Sequence, residues 1–210
     1  MSDDIPVKDN DLDELKREMR SAQWMDWVEA NKNGLIGAAA AVLVVLIATG
    51  FWIESDRSQR ATAATIYQQA VNETDLGKKQ AMLQNLSRDF SGSSYGALAL
   101  MQLAGIDLEN AEVHLNALIG HDKAMDEWVW QARIDLAAIK ISAGDSAAAK
   151  SLLDEHIGEQ YQQIRYYLLA QISTDESEKQ EYLQKALDAP SANDADLIRK
   201  IESQMSKKVS

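Results

Sequence analysis

The chain contains no cysteine in 210 residues. That absence excludes disulfides, thiolate nucleophiles, iron–sulfur ligation and cysteine-based zinc sites. Proline occurs only twice, at Pro6 and Pro190, so nearly the whole chain is free of the strongest helix breaker. Positive charge is scarce too: 21 Lys and Arg stand against 33 Asp and Glu, for a formal net charge of −12. Such a surface repels phosphate backbones, so nucleic acid is not an expected partner. What fills the chain instead is Ala, Leu, Gln, Lys and Glu, all good helix formers, and an all-α fold is the expectation.

Catalytic signatures are missing as well. There is no phosphate-cradling glycine loop, no GxGxxG and no HExxH. His114 and His121 are seven apart, with Asp122 beside the second, but Gly120 marks a turn between them and no further ligand pair appears. His156 stands alone, and these histidines read as surface residues or as satisfied partners. The carboxylates fall on polar helix faces or in turns, where solvation accounts for them. The expectation is therefore a protein without catalysis, metal, cofactor or small-molecule substrate.

One stretch departs from the polar background. Residues 34–53, GLIGAAAAVLVVLIATGFWI, carry no charge. As a helix they rise ~30 Å, the thickness of a bilayer's hydrocarbon core. Trp24 and Trp27 precede the stretch and Trp52 ends it, where indoles sit at headgroup level. A cleaved signal peptide is the nearest competitor, since Ala48-Thr49-Gly50 is cleavage-like. However, signal peptides start with short basic segments, whereas the residues ahead of this stretch are long and acidic. An uncleaved transmembrane anchor is the expectation. Lys16, Arg17, Arg20 and Lys32 outnumber Arg57 and Arg60 across it, which places the N-terminus in the cytoplasm and, in a bacterium, residues 54–210 in the periplasm. Residues 1–33 then form an acidic cytosolic segment. Leu12, Leu15, Met19 and Ala22 have helical spacing there, with Asp11 as a cap, and predict a juxtamembrane helix.

Beyond the apolar stretch the chain repeats itself. LAGI at 103–106, LAAI at 136–139 and LAQI at 169–172 follow one another at 33-residue intervals. Each closes a predicted helix: SYGALALMQLAGI, EWVWQARIDLAAI and QIRYYLLAQI. A second amphipathic helix follows each: AEVHLNALI, SAAAKSLLDEHI and KQEYLQKALDAP. SAGD at 142–145 and STDES at 173–177 are the turns, while the first unit needs a very tight one. Leucine and isoleucine three apart share a helical face, and the alanine between them lets a partner helix approach. Residues 58–71 and 78–90 form one more pair ahead of the motif, the first continuing from the apolar helix, and residues 195–205 form a terminal helix.

A helix pair repeated at this interval resembles the tetratricopeptide repeat. Leu136-Ala137 matches that family's large–small pair, Gly144 its turn glycine, Ala149 its small residue in the second helix, and residues 184–187 with Pro190 its ending. Alanine replaces the family's usual glycine throughout, and its aromatic one turn later is absent. The expected fold is thus one N-terminal transmembrane helix (34–53) followed by a tetratricopeptide-like α-solenoid of about four helix pairs (54–210).

The LAxI register assigns a concave face to Met101, Ile134 and Tyr167, two residues before each leucine, and to Leu98, Gln131 and Ile164, five before. These are mostly apolar and suit a peptide or a partner helix, although a tight curl would bury them as core. Trp128 and Trp130, two apart on one helix, cannot share one core; one of them is a candidate exposed anchor unless it covers the neighbouring repeat.

The whole layout, together with Tyr95-Gly96-Ala97-Leu98-Ala99, resembles the ancillary SecYEG translocon subunit family, the YfgM-like proteins. That resemblance implies an inner-membrane protein that assists the Sec translocon and associates with a membrane-anchored periplasmic chaperone in handling secreted chains. A regulatory scaffold whose cytosolic segment binds a signalling protein is the alternative.

Overall fold

A computed structural model of the chain describes residues 19, 24, 25, 27–190 and 194–206. Most of the expected juxtamembrane helix, with Leu12, Leu15 and Ala22, lies outside the described residues. The chain divides into two units, one ending at Arg57 and the other running from Ser58 onward.

All regular structure among the described residues is helical. Helix α1 spans Lys32–Asn72, 41 residues without interruption, so the apolar stretch and the first helix of the repeat region are one element. In its first part every residue from Leu35 to Ile53 is exposed, and the helix is long and apolar enough to cross a membrane. The hydroxyl of Thr49 donates to the Val45 carbonyl (2.7 Å), so it is satisfied within the helix. Trp24 and Trp27 meet edge to face at 5.8 Å.

In the second unit α2 (Leu76–Asp89), α3 (Ser94–Ile106), α4 (Ala111–Ile119), α5 (Asp126–Ser142), α6 (Ser146–Asp154), α7 (Gln162–Ile172), α8 (Glu176–Asp188) and α9 (Ala195–Ser206) follow in order. The helix starts explain part of the acidic composition. Asp75, Asp145, Asp175 and Asp194 each accept a hydrogen bond from the backbone N–H three residues on, satisfying a donor that the helix itself leaves free. Ser93 does the same for Gly96. Between α5 and α6 two such devices are fused. Gly144 takes φ +80°, its N–H bonds the Ile141 carbonyl, and the Asp145 N–H bonds the Lys140 carbonyl. This paired reverse bonding ends α5, and the next residue caps α6. The expected tight turn of the first unit is a single 3-10 turn, Leu108–Asn110. Helix α6 is shorter than its sequence pattern predicts: it stops at Asp154, and Ile157 reaches the core from the following segment.

The core is built from four successive clusters. The first joins Ala63 and Ala70 of α1, Leu83 and Leu86 of α2, and Ala99 and Leu103 of α3. The second joins α3, α4 and α5 through Leu100, Leu115, Leu118 and Leu136. The third joins α5, α6 and α7 through Ile134, Leu153 and Leu169, and the fourth joins α7, α8 and α9 through Ala170, Leu183 and Ile201. Each odd-numbered helix from α3 to α7 serves two clusters with different faces, which is how a solenoid extends a core along one dimension. The LAxI leucines Leu103, Leu136 and Leu169 fall one into each of the first three clusters, all fully or nearly fully buried. Ile106, Ile139 and Ile172 pack against the same three in turn. The tetrapeptide is therefore a repeated packing unit.

Candidate interaction surface

The side chains assigned to a concave face divide between core and cleft. Gln131, Ile134 and Ile164 converge on one cleft of about 380 Å³ between α5 and α7, walled on a third side by Asp194 and Leu197 at the start of α9. Gln160 and Tyr161 complete its rim, and the buried Gln163 lies in its wall. Ile134 is only 5% exposed, so it forms floor and offers little area to a visitor. Ile164 is partly buried and touches both the third and the fourth core cluster. Tyr167 packs against the same two clusters, as does Tyr166, which stacks on Tyr182 at 6.4 Å. One repeat earlier, Met101 packs against the second cluster and Leu98 is half-buried.

The two tryptophans of α5 do face different cores. Trp128 packs against the cluster of α3, α4 and α5, and Trp130 against that of α5, α6 and α7. Both are partly buried, so each covers a neighbouring repeat and neither stands out as an exposed anchor. Trp130 lies edge-on to His156 at 5.6 Å and directly over Gly158, where a Cβ would stand 2.3 Å from the indole.

Asp135 was not among the residues singled out by spacing, and it gives the cleft its electrostatic character. It sits on α5 next to Ile134, half-buried, and accepts a hydrogen bond from the Gln131 amide at 2.7 Å. Burial raises its pKa above the usual carboxylate value, and the Gln131 bond opposes that rise. Tyr161, across the rim, is raised by burial and then by the charges of Asp135 and Glu127. The basic side chains of α5 and α7, and Arg199 of α9, point elsewhere. Arg133 binds the His156 carbonyl (2.7 Å) and Glu155, Lys140 pairs with Glu112, Arg165 donates to the Leu153 carbonyl (2.6 Å), and Arg199 pairs with Asp196. No ion pair reaches Asp135 among the described residues.

The histidines take structural parts. The His114 ring nitrogen bonds Asp107 at 3.0 Å, and Asn110 donates to both oxygens of the same carboxylate. His121 accepts from the Lys123 backbone N–H. No group of three potential metal ligands occurs among the described residues. Among the described residues the cleft thus holds two carboxylates, the half-buried Asp135 and the capping Asp194, with three amides, a phenol and an apolar floor, and no nucleophile–base pair.

No curated protein and no solved structure matches the chain. A family model described as tetratricopeptide repeat-like domain matches residues 25–204.

Proposed function

Because the chain belongs to the tetratricopeptide repeat-like domain family, a family of protein–protein interaction modules, we propose that it is a non-catalytic, single-pass membrane protein that captures protein partners at a bilayer surface. Its repeat domain faces the periplasm of a bacterium and its acidic N-terminal segment the cytoplasm. The partners we propose are the Sec translocon and a membrane-anchored periplasmic chaperone, in the handling of newly secreted chains. The observation that carries the reading is helix α1: its apolar length is uncovered by any other described residue, and it continues without a break into the helix that begins the repeats. An apolar face of that extent needs lipid or protein around it.

The physical benefit of the anchor is effective concentration. Weak binding in a groove becomes efficient capture when partner and groove are confined to the same membrane. The partner assignment itself rests on the resemblance of layout and of residues 95–99 described above.

Two measurements test this. Extraction from native membranes in mild detergent, followed by affinity purification at native expression, should recover translocon or chaperone components; their consistent absence overturns the partner assignment. Protease added to the outer side of the inner membrane should degrade residues 54–210 and spare the N-terminal segment. Degradation of the opposite part reverses the topology. Deleting residues 1–33 separates this reading from the alternative, a regulatory scaffold: translocon association should survive under the first, and regulation should fail under the second.

A further inference from the structure

The cleft described above has an unusual balance of charge. Two carboxylates line it, Asp135 and Asp194, and no basic residue does among the described residues. Asp194 is engaged as the cap of α9, accepting from the N–H groups of Asp196 and Leu197, so its charge is partly answered by the helix end. Asp135 has no comparable support: one neutral amide is its hydrogen-bond partner among the described residues. The arginines and lysines of α5 and α7 are all turned to other carbonyls or carboxylates, as is Arg199 of α9, and Tyr161 presents a phenol already set in a negative field. A half-buried carboxylate without a cation carries an unmet desolvation cost, which an incoming positive charge relieves. The floor beneath it is apolar: Ile164 is half-buried and offers area to a hydrocarbon stem, backed by the buried Ile134, Leu168 and Leu197.

We propose that the cleft between α5, α7 and α9 receives a lysine or arginine side chain of a partner polypeptide, flanked by an apolar residue, with Asp135 as its counter-charge. Both parts of such a guest fit the lining. The methylene stem of Lys or Arg lies along Ile164 while its head meets the carboxylate, and the neighbouring apolar residue rests at the mouth of the cleft. Gln131 holds Asp135 in place, and the exposed amide of Gln160 at the rim is placed to bond a peptide backbone. This inference rests on the reading of the domain as an interaction module, but not on the identity of any partner.

The test uses the full chain in detergent micelles and short blocked peptides, Ac-Gly-Leu-Lys-Leu-Gly-amide and its counterparts with Arg, norleucine or Glu at the centre. Backbone amide shifts are followed during titration. The Lys and Arg peptides should bind about five- to ten-fold more tightly than the norleucine peptide, the scale of one partly desolvated ion pair. The Glu peptide should bind weakest. Shifts should centre on residues 131–138 and 160–168, and the preference should shrink as salt rises. Asp135→Asn, which preserves the side-chain shape, should erase the preference for Lys over norleucine, whereas Asp122→Asn, outside the cleft, should keep it. Equal binding of the Lys and norleucine peptides, shifts confined to another face, or an unchanged preference in Asp135→Asn would overturn the proposal. Failure to recover translocon components in the purification above would leave this result standing, so the two readings fail separately.

Discussion

At the scale of single residues, two aspartates show opposite electrostatics and should leave opposite marks on stability. Asp107, 8% exposed, has its pKa lowered chiefly by the hydrogen bond with His114 and then by Asn110. A carboxylate depressed in the folded state adds stability that is present above its unfolded pKa and is lost as pH falls through the folded value. Asp107→Asn should therefore melt lower than the parent at neutral pH, with the gap closing below the ordinary carboxylate range. Asp135 is raised by burial, so its contribution is present below the ordinary carboxylate pKa and lost as pH rises through the raised one. Asp135→Asn should be as stable as the parent or up to about 1 kcal/mol more stable at neutral pH, a modest figure because the site is partly solvated. That advantage should vanish in acid. Melting curves by circular dichroism across pH, with both variants side by side, check the pair; gaps of the same sign and pH course would refute the assignment.

At the scale of elements, glycines mark where helices touch what lies beside them. A Cβ on Gly96 would stand 2.6 Å from the Phe90 carbonyl oxygen, backbone that cannot swing aside, so the YGALA segment has its glycine where α3 turns close against the end of α2. Gly158→Ala drives into the Trp130 ring, which must shift with the segment after α6. Both should cost about 1–3 kcal/mol, the range of overpacking in a filled core. Gly105, in the last turn of α3, has nothing within 4 Å, and Gly105→Ala should instead gain about 0.5–1 kcal/mol of helix propensity. Chemical denaturation of the three variants decides the ordering. The helix bounds were legible in sequence because the 33-residue spacing, Gly144 and the capping aspartates are local signals. The pattern predicts a longer α6 because Ile157 continues the helical spacing of Leu153, whereas the backbone turns extended at Glu155 and the Gly158–Trp130 approach beyond it is a tertiary fact. The cleft was half legible for the same reason. Register brought out Gln131, Ile134 and Ile164. Asp135 is an ordinary polar residue until α7 and α9 close over it, and its neighbour Gln131, four positions earlier on the same helix, gave the only local signal.

At the scale of the whole molecule, the four clusters are linked in series through helices that serve two of them. Leu136 is 2% exposed in the second cluster, on the helix that also carries Ile134 and Ala137 of the third. Leu136→Ala should cost about 2–5 kcal/mol by the lost side chain and the cavity it leaves. In a serially coupled array the loss should spread to adjoining junctions and stop short of distant ones. Hydrogen exchange resolved by helix should show the largest loss of protection in α3 to α7 and the least in α2 and in α8; a uniform loss would mean a single indivisible core.

The position of α9 has a consequence for timing. Asp194 and Leu197 wall the cleft from the last helix described, whereas Asp135 and Ile134 lie far upstream on α5. A chain emerging from synthesis or translocation in N-to-C order presents α5 and α7 first, as a shallow face open to water. The third wall arrives only with α9. Until then Asp135 is better hydrated and lacks the apolar neighbour that makes a cation welcome, so an unfinished chain is a poor trap for the basic segments of its neighbours. The cleft as a three-walled site thus exists only once α9 has folded against α5 and α7.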